Sequence, residues 1–484
     1  MAFRLLSCGF DFPLVTFYFR PVHLPALLLF LFTFHAFAAD KIFRAGAAAS
    51  NVTPWLGVSM PGGFTDRRAT RIHDELYARC LVLDDGQNKL AIVVVDNCIL
   101  PRDVLDRAKA MAQKTTGIPA AHMLVSATHT HSGPAAMDIA MCKADPEYQA
   151  FLARRIADGI QRAVANLAPA KIGWGFGELP SEVFNRRWHM KDGGINENPF
   201  GNKDDKVRMN PPRRSPLLDR PAGPTDTQVP VLSVLHADGR PMALHSNYSL
   251  HYVGGTGAGT ISADYFGVFA DRIQELLKAD RQQPPFVGML SNGTSGDINN
   301  INFQGVPAGR PLYGQINFVA DKLADEVLRV QKKIKHHDWV ALKAVQKDIT
   351  LGVRRPQPDE VARAKQMLKA AKDPKRLTTF EVYAQETVNL AEYPPRIPVP
   401  VQALHIGSLR ICAIPCEPFA EVGLALKDRR KDTFVIGLAN GYYGYLPTAR
   451  QLALGGYETW RSSWSFLEVD SAKRVINTLE KLME

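Results

Sequence analysis

Met123-Leu-Val-Ser126-Ala-Thr-His129-Thr-His131-Ser-Gly-Pro134 sets an apolar run against two histidines and a turn signal. Side chains alternate along an extended segment, so a strand over Met123–Thr128 predicts that His129 and His131 share one face. Ser-Gly-Pro ends that strand and leaves both imidazoles at its terminus, where sheets commonly carry their chemistry. Imidazole ligates metals and titrates near neutrality. The pair therefore reads as a metal or proton-transfer site, or as two hydrogen-bonded structural histidines, and further ligands must decide.

Outward from this stretch, Leu90-Ala-Ile-Val-Val-Val-Asp96 and Arg410-Ile-Cys-Ala-Ile-Pro415 have the short continuous apolar character of buried strands. Pro146–Leu167, Asp264–Ala279 and Pro358–Ala371 carry helical spacing instead, so the fold class is α/β, mixed α and β. Residues 190–230, rich in Pro, Asn, Gly and charge, predict a long excursion that is either a functional lid or disordered. No internal repeat or low-complexity linker marks a domain boundary, so one large domain is expected.

With 484 residues, 46% hydrophobic and 22% charged, the composition is that of an ordinary globular protein. Arg4 and Arg20 precede Leu24-Pro-Ala-Leu-Leu-Leu-Phe-Leu-Phe-Thr-Phe, and Ala36-Phe-Ala38 supplies a small-x-small cleavage pattern. Residues 1–38 are expected to be a signal peptide, with an uncleaved anchor as the alternative, and 39–484 the mature domain, secreted or periplasmic. Cys8 leaves with the signal, and the five remaining cysteines are too few and odd in number for a disulfide framework. Losing Arg4, Arg20 and Asp11 takes the net charge from +10 to +9. That charge is spread and lacks interleaved aromatics, which argues against nucleic acid and allows a weak attraction to an anionic membrane surface.

Three further islands carry chemistry. His245-Ser-Asn-Tyr-Ser-Leu-His251 ends a strand-like segment in a candidate third ligand. Phe286 to Leu290 runs into Ser-Asn292-Gly-Thr-Ser295-Gly-Asp297-Ile-Asn299, which either aims N–H groups and amides at a substrate or forms an Asn-capped turn. Ile414-Pro-Cys-Glu417 ends a strand with a carboxylate, and Asn440-Gly-Tyr-Tyr-Gly-Tyr445-Leu-Pro-Thr and Gly455-Gly-Tyr457-Glu place phenols on loops.

Taken in order, Thr128-His129-Thr-His131-Ser-Gly-Pro, Asn185-Arg186, the segment ending at His251, Asn292-Gly-Thr-Ser-Gly-Asp297, Pro415-Cys-Glu417, Tyr445-Leu-Pro-Thr and Tyr457-Glu resemble the neutral, non-lysosomal ceramidases. The resemblance spans roughly residues 45–465 and implies a Zn2+-dependent amide hydrolase acting on a lipid-like N-acyl substrate. It implies His129, His251, Glu417 and Tyr445 as metal ligands, a set whose nitrogen and oxygen donors suit zinc. His131 is then the acid and base, while Arg186 and Tyr457 contact the substrate amide and stabilise the oxyanion. Asp297 and Asn299 fall where the resemblance places substrate-binding groups. His73, His189 and His245 read as structural.

Two departures bear on the substrate. Ceramidases have Gly-Asp-Val-Ser-Pro-Asn where this chain has Gly296-Asp297-Ile-Asn299-Asn-Ile, so Asn299 replaces a serine tied to activity or to recognition of the sphingoid hydroxyl. The chain also ends about twenty residues after Ser463-Trp-Ser465, without room for the immunoglobulin-like C-terminal domain of full-length ceramidases. Another N-acyl amide or an ester therefore stands beside ceramide as substrate. From other classes, a Ser295 serine hydrolase competes, although Gly293-Thr-Ser-Gly-Asp297 lacks the last glycine of a nucleophile elbow, as does a binding protein that has lost turnover.

Overall fold

The computed structural model describes residues 13–16, 18, 41–279 and 282–484, so the signal-peptide reading of 1–38 lies largely outside the described residues. Lys41–Glu484 forms one compact unit. At its centre Tyr77–Asp84 and Lys89–Val95 are buried on both faces. Ala78, Cys80, Val82, Val93 and Val95 point one way, onto helices Arg102–Thr116 and Pro146–Ala165. Leu81, Leu83, Ile92 and Val94 point the other way, onto Leu404, Leu409, Ile411 and Phe434 of a second sheet. A strand covered on both sides needs apolar residues at every position, which is why Leu90–Val95 reads as a continuous apolar run.

The larger sheet has eight strands in the order Val287–Asn292, Pro241–Tyr248, Gln228–His236, Ala168–Glu178, Arg44–Asn51, Tyr77–Asp84, Lys89–Val95, Met123–Ala127. Its two edge pairs are parallel and the rest antiparallel. Both edge strands therefore run the same way as their neighbours and end at loops that carry Thr128–His131 and Gly293–Asp297. The smaller sheet, Leu342–Gly352, Arg396–Ile406, Leu409–Ala413 and Thr433–Ile436, covers the first and is backed by helices Ala420–Arg429 and Ser471–Leu482. The mixed α and β class expected from periodicity is what the chain adopts.

Two sequence expectations are corrected. Residues 190–230 are not a structureless excursion, because Val207–Met209 and Leu218–Pro221 pair on either side of Arg187–Met190 in a three-stranded sheet. Burial of Trp188 and Val207 holds that sheet down. The strand after Met123 ends at Ala127, and His129 has φ 71, in the left-handed region. Strand alternation therefore does not bring His129 and His131 together; a turn does.

Candidate active site

Residues 437–440 thread between strand ends. Gly437 N–H donates to the Asn292 carbonyl at 3.0 Å, Leu438 N–H to that of Cys416 at 2.8 Å and Asn440 N–H to that of Val125 at 2.7 Å. The Asn292 side chain ties the same elements, its Nδ2 donating to the carbonyls of Thr128 at 3.1 Å and Leu250 at 3.3 Å, the residues just before His129 and His251. A Cβ on Gly296 would stand 2.5 Å from the Glu417 carbonyl oxygen, so this loop reaches Glu417 only because residue 296 lacks a side chain. Glu417 and Tyr445 are register partners in a short parallel pair.

Backbone carbonyls orient the imidazoles that meet here. Nδ1 of His129 lies 2.8 Å from the Cys98 carbonyl oxygen, Nδ1 of His251 3.1 Å from that of Ser295, and Nδ1 of His131 3.1 Å from that of Gly62. A carbonyl only accepts, so each Nδ1 carries a proton and each Nε2 faces inward. His251 and His131 bring their Nε2 atoms to 3.0 Å and 3.2 Å from that of His129. Glu417 Oε2 stands 3.3 Å from His129 Nε2 and 3.9 Å from His251 Nε2. Glu417 Oε1 accepts from the Tyr442 hydroxyl at 2.8 Å, whereas its buried Oε2 has no hydrogen-bond partner among the described residues.

Ligand atoms 2.0–2.2 Å from a tetrahedral ion stand about 3.3–3.6 Å apart. The separations of 3.0, 3.3 and 3.9 Å among His129, His251 and Glu417 bracket that spacing, and the three form a donor set that fits a zinc-like cation. Cys98, His129 and His131 form an overlapping group. Its thiol, however, lies 3.8 Å from His129 Nδ1, the nitrogen already committed to a carbonyl.

The electrostatics divide the cluster between one charged pair and two neutral imidazoles. Burial opposes a proton on His129, but the Glu417 carboxylate outweighs it and holds His129 well above the usual imidazole range. Burial also opposes ionisation of Glu417, yet His129 and the Tyr442 hydroxyl hold it below the usual carboxylate range. Burial, then the charge on His129, keeps His131 well below its ordinary value, and burial, then Arg186, does the same to His251.

Arg186 lies beside the cluster. Its Nε donates to Glu458 at 2.9 Å and its Nη2 to the Gly296 carbonyl at 2.8 Å and the Tyr445 hydroxyl at 3.0 Å, while Nη1 lies 3.4 Å from His251 Nε2. Glu458 also accepts from the fully buried Arg187 at 2.7 Å. The three histidines, Glu417, Tyr442, Tyr445 and Arg186 face a cavity of about 210 Å³, whose apolar wall includes Phe64, Ile99, Met209 and Trp464, with Tyr457 beside them.

Thus His129, His131, His251, Glu417, Tyr445, Arg186 and Tyr457, drawn from distant segments, line one cavity. Asp297 and Asn299 do not line it. Asp297 is fully buried, with Oδ1 accepting from Ala420 N–H at 2.9 Å and Oδ2 from Asn185 at 2.8 Å, so it caps the helix after Glu417. Asn299 bonds to Asn210, which does line the cavity. Ser295 Oγ donates to Asn292 Oδ1 at 2.6 Å, which gives it no imidazole partner and removes the serine-hydrolase geometry. The sequence reading missed Tyr442, Glu458 and Tyr252, whose ring stacks on His131 at 3.7 Å. Tyr442 and Glu458 sit inside the phenol-bearing stretches already singled out.

Residues 43–307 match the family model for neutral/alkaline non-lysosomal ceramidase, N-terminal. The chain belongs to this family. Among solved structures it is similar to the neutral ceramidase from Pseudomonas aeruginosa, with a TM-score of 0.68 at 17% identity over 92% of this chain and 74% of that one. A ceramidase complexed with C2 aligns with a TM-score of 0.69 at 17% identity over 92% of this chain and 75% of the other. At that identity the likeness speaks for the ceramidase fold, which this chain retains.

Proposed function

We propose that the protein is a Zn2+-dependent hydrolase that cleaves the N-acyl amide bond of ceramide or a related N-acyl lipid to a fatty acid and a sphingosine-like amine. The observation that carries this reading is the convergence of the inward Nε2 atoms of His129 and His251 on a buried Glu417 Oε2 that has no hydrogen-bond partner among the described residues, with His131 Nε2 beside that of His129, in a chain of the ceramidase family. His129, His251 and Glu417 would hold the ion, with the Tyr445 phenol as the fourth ligand. When bound, zinc supplies Lewis acidity toward the amide carbonyl and acidifies a water toward neutrality.

The remaining chemistry belongs to the side chains. His131, with Nδ1–H fixed by Gly62 and its face clamped by Tyr252, presents Nε2 as a neutral base. It takes the proton from the attacking water and returns it to the leaving nitrogen. Burial, then the Glu417 charge, raises the Tyr457 phenol, so it stays protonated and donates to the amide oxygen as negative charge develops. Arg186 donates from Nη1, because its other nitrogens are held by Glu458, Gly296 and Tyr445. Phe64, Ile99 and Trp464 keep bulk water away and give the acyl chain an apolar wall.

Export follows from reading 1–38 as a cleaved signal, leaving 39–484 as the mature enzyme; among the described residues no helix is long and apolar enough to cross a membrane. The test is release of fatty acid from a short-chain fluorescent ceramide by mature protein, metal-free and zinc-restored. Release that returns with zinc is expected. Equal release in both samples would overturn the zinc assignment, and absence of release from a zinc-loaded sample would overturn ceramide.

A further inference from the structure

We infer that Asn210 is the polar recognition group at the mouth of the cavity, that it reads a hydrogen-bond acceptor on the substrate, and that Asn299 sets it rather than touching the substrate itself. The inference rests on the hydrolase reading only for the identity of the ligand; the hydrogen-bond argument is independent of it.

Ile301 N–H donates to Asn299 Oδ1 at 2.9 Å, and a backbone N–H can only donate, so the Asn299 amide has one allowed orientation with its oxygen toward Ile301. Its NH2 end then faces Asn210 and donates to Asn210 Oδ1 at 2.7 Å. Asn299 is buried, and its strand, Ile298–Asn299, pairs with Phe184–Asn185, so neither bond is at liberty to turn. Asn210 must therefore meet Asn299 with its oxygen and present its own NH2 elsewhere. Asn210 is exposed, and that NH2 has no protein partner among the described residues.

Asn210 itself is held in place. Its N–H donates to the Arg186 carbonyl at 2.8 Å, and its φ of 46 lies in the left-handed region, which asparagine adopts more readily than other side-chain-bearing residues. It stands on the cavity lining between Met209 and the Phe64–Tyr457 wall. Two N–H donors without a protein acceptor, at the rim of an otherwise aromatic and apolar opening, match a hydroxyl, carbonyl or carboxylate oxygen on the ligand. On an N-acyl lipid the matching group is an acceptor oxygen outside the scissile amide. This also accounts for an asparagine at 299: it cannot act as a nucleophile, but it can lock a neighbouring amide.

Asn299→Asp is the decisive change. An aspartate keeps the bond from Ile301 N–H but offers Asn210 only an acceptor, so the Asn210 amide must turn over and show the cavity its oxygen. Asn210→Asp reaches the same result directly, because one carboxylate oxygen accepts from Asn299 and the other faces the opening. Binding of a short-chain N-acyl amine carrying an ether oxygen, which can only accept, and of its methylene counterpart is measured calorimetrically, with kcat and KM on the same pair. Wild type is expected to favour the ether about tenfold, the scale of one well-made hydrogen bond. Each variant is expected to bring the ratio to within about twofold, mainly through Kd and KM. An unchanged ratio in both variants, a change in Asn299→Asp alone, or binding of neither compound by wild type would overturn the inference. Selective binding without hydrolysis of either compound would refute the hydrolase reading and uphold the role of Asn210.

Discussion

Gly62 offers a way to move His131 without altering its chemistry. The residue has φ +108, and a Cβ built on it would lie 2.4 Å from His131 Nδ1, 2.6 Å from Cγ and 2.7 Å from Cβ. Ordinary contact begins at 3.4 Å, so in Gly62→Ala the imidazole must retreat by about 1 Å, the difference between 3.4 and 2.4. Tyr252 is stacked on the ring at 3.7 Å and limits tilting, which leaves displacement along the ring plane, toward or past His129 Nε2. A misplacement of that size in a reacting group costs on the order of 100-fold in turnover, and the unfavourable φ costs about 1–3 kcal/mol of stability. The two effects separate in Gly86→Ala, where φ is +88 but a Cβ meets nothing within 4 Å. We expect Gly62→Ala to bind zinc stoichiometrically, to melt at a lower temperature and to lose about 100-fold in kcat on a fluorescent short-chain ceramide. Gly86→Ala should show a lower melting temperature alone. Wild-type kcat in a correctly folded Gly62→Ala would refute the placement of His131 as the proton-transfer group.

Other perturbations address the metal, the arginine pair and acid stability. His129→Ala is expected to lose both bound zinc and activity, whereas His131→Ala keeps zinc by elemental analysis and loses most turnover; full activity in the latter would end its assignment. Glu458→Gln strips the carboxylate from the buried Arg186 and Arg187, and breaking such pairs costs about 3–5 kcal/mol. A urea midpoint equal to wild type would contradict that role. Burial lowers His245 to about 3, with Nε2 paired to Ser291 Oγ at 2.9 Å. The unfolded chain, with a pKa near 6.5, then binds more protons than the folded one as pH falls from about 6.5 to about 3, so this contribution is complete above 6.5 and shrinks with acidification. Between pH 7 and pH 4 the loss is about 3 kcal/mol. Urea titrations at both pH values should show a shallower drop in His245→Gln, and an unchanged drop would locate the acid sensitivity elsewhere.

What could be read from the sequence divides along a chemical line. Strands buried on both faces announce themselves as apolar runs, and the helices by their spacing, because burial acts on side-chain type. The ligand set was legible through the ordered resemblance of its short motifs to the ceramidases, because the residues that carry the chemistry are the ones those motifs contain. Strand alternation nonetheless predicts the wrong geometry for His129 and His131, since a left-handed residue brings the rings together. Pairings such as Arg186 with Glu458, 272 residues apart, or Asn299 with Asn210, 89 apart, arise from the fold and leave no local trace. The carbonyls of Cys98, Gly62 and Ser295 are the least legible of all, because every residue carries one.

That last class makes an experiment on Cys98 informative. Read by side-chain type, a buried cysteine beside His129 and His131 is a thiolate ligand, and Cys98→Ala should abolish metal binding. Read from the contacts, residue 98 acts through its carbonyl, which accepts from His129 Nδ1 at 2.8 Å, while the thiol stands 3.8 Å from that same nitrogen. The carbonyl survives the substitution. Removing one buried sulfur leaves a small cavity and costs about 1 kcal/mol in stability. Cys98→Ala should therefore keep stoichiometric zinc and a kcat within about threefold of wild type, a change in barrier below about 1 kcal/mol. Loss of zinc from the alanine variant would transfer the ligand role to the thiol and would remove the tautomer argument for His129, since its Nδ1 would then face a sulfur rather than a carbonyl.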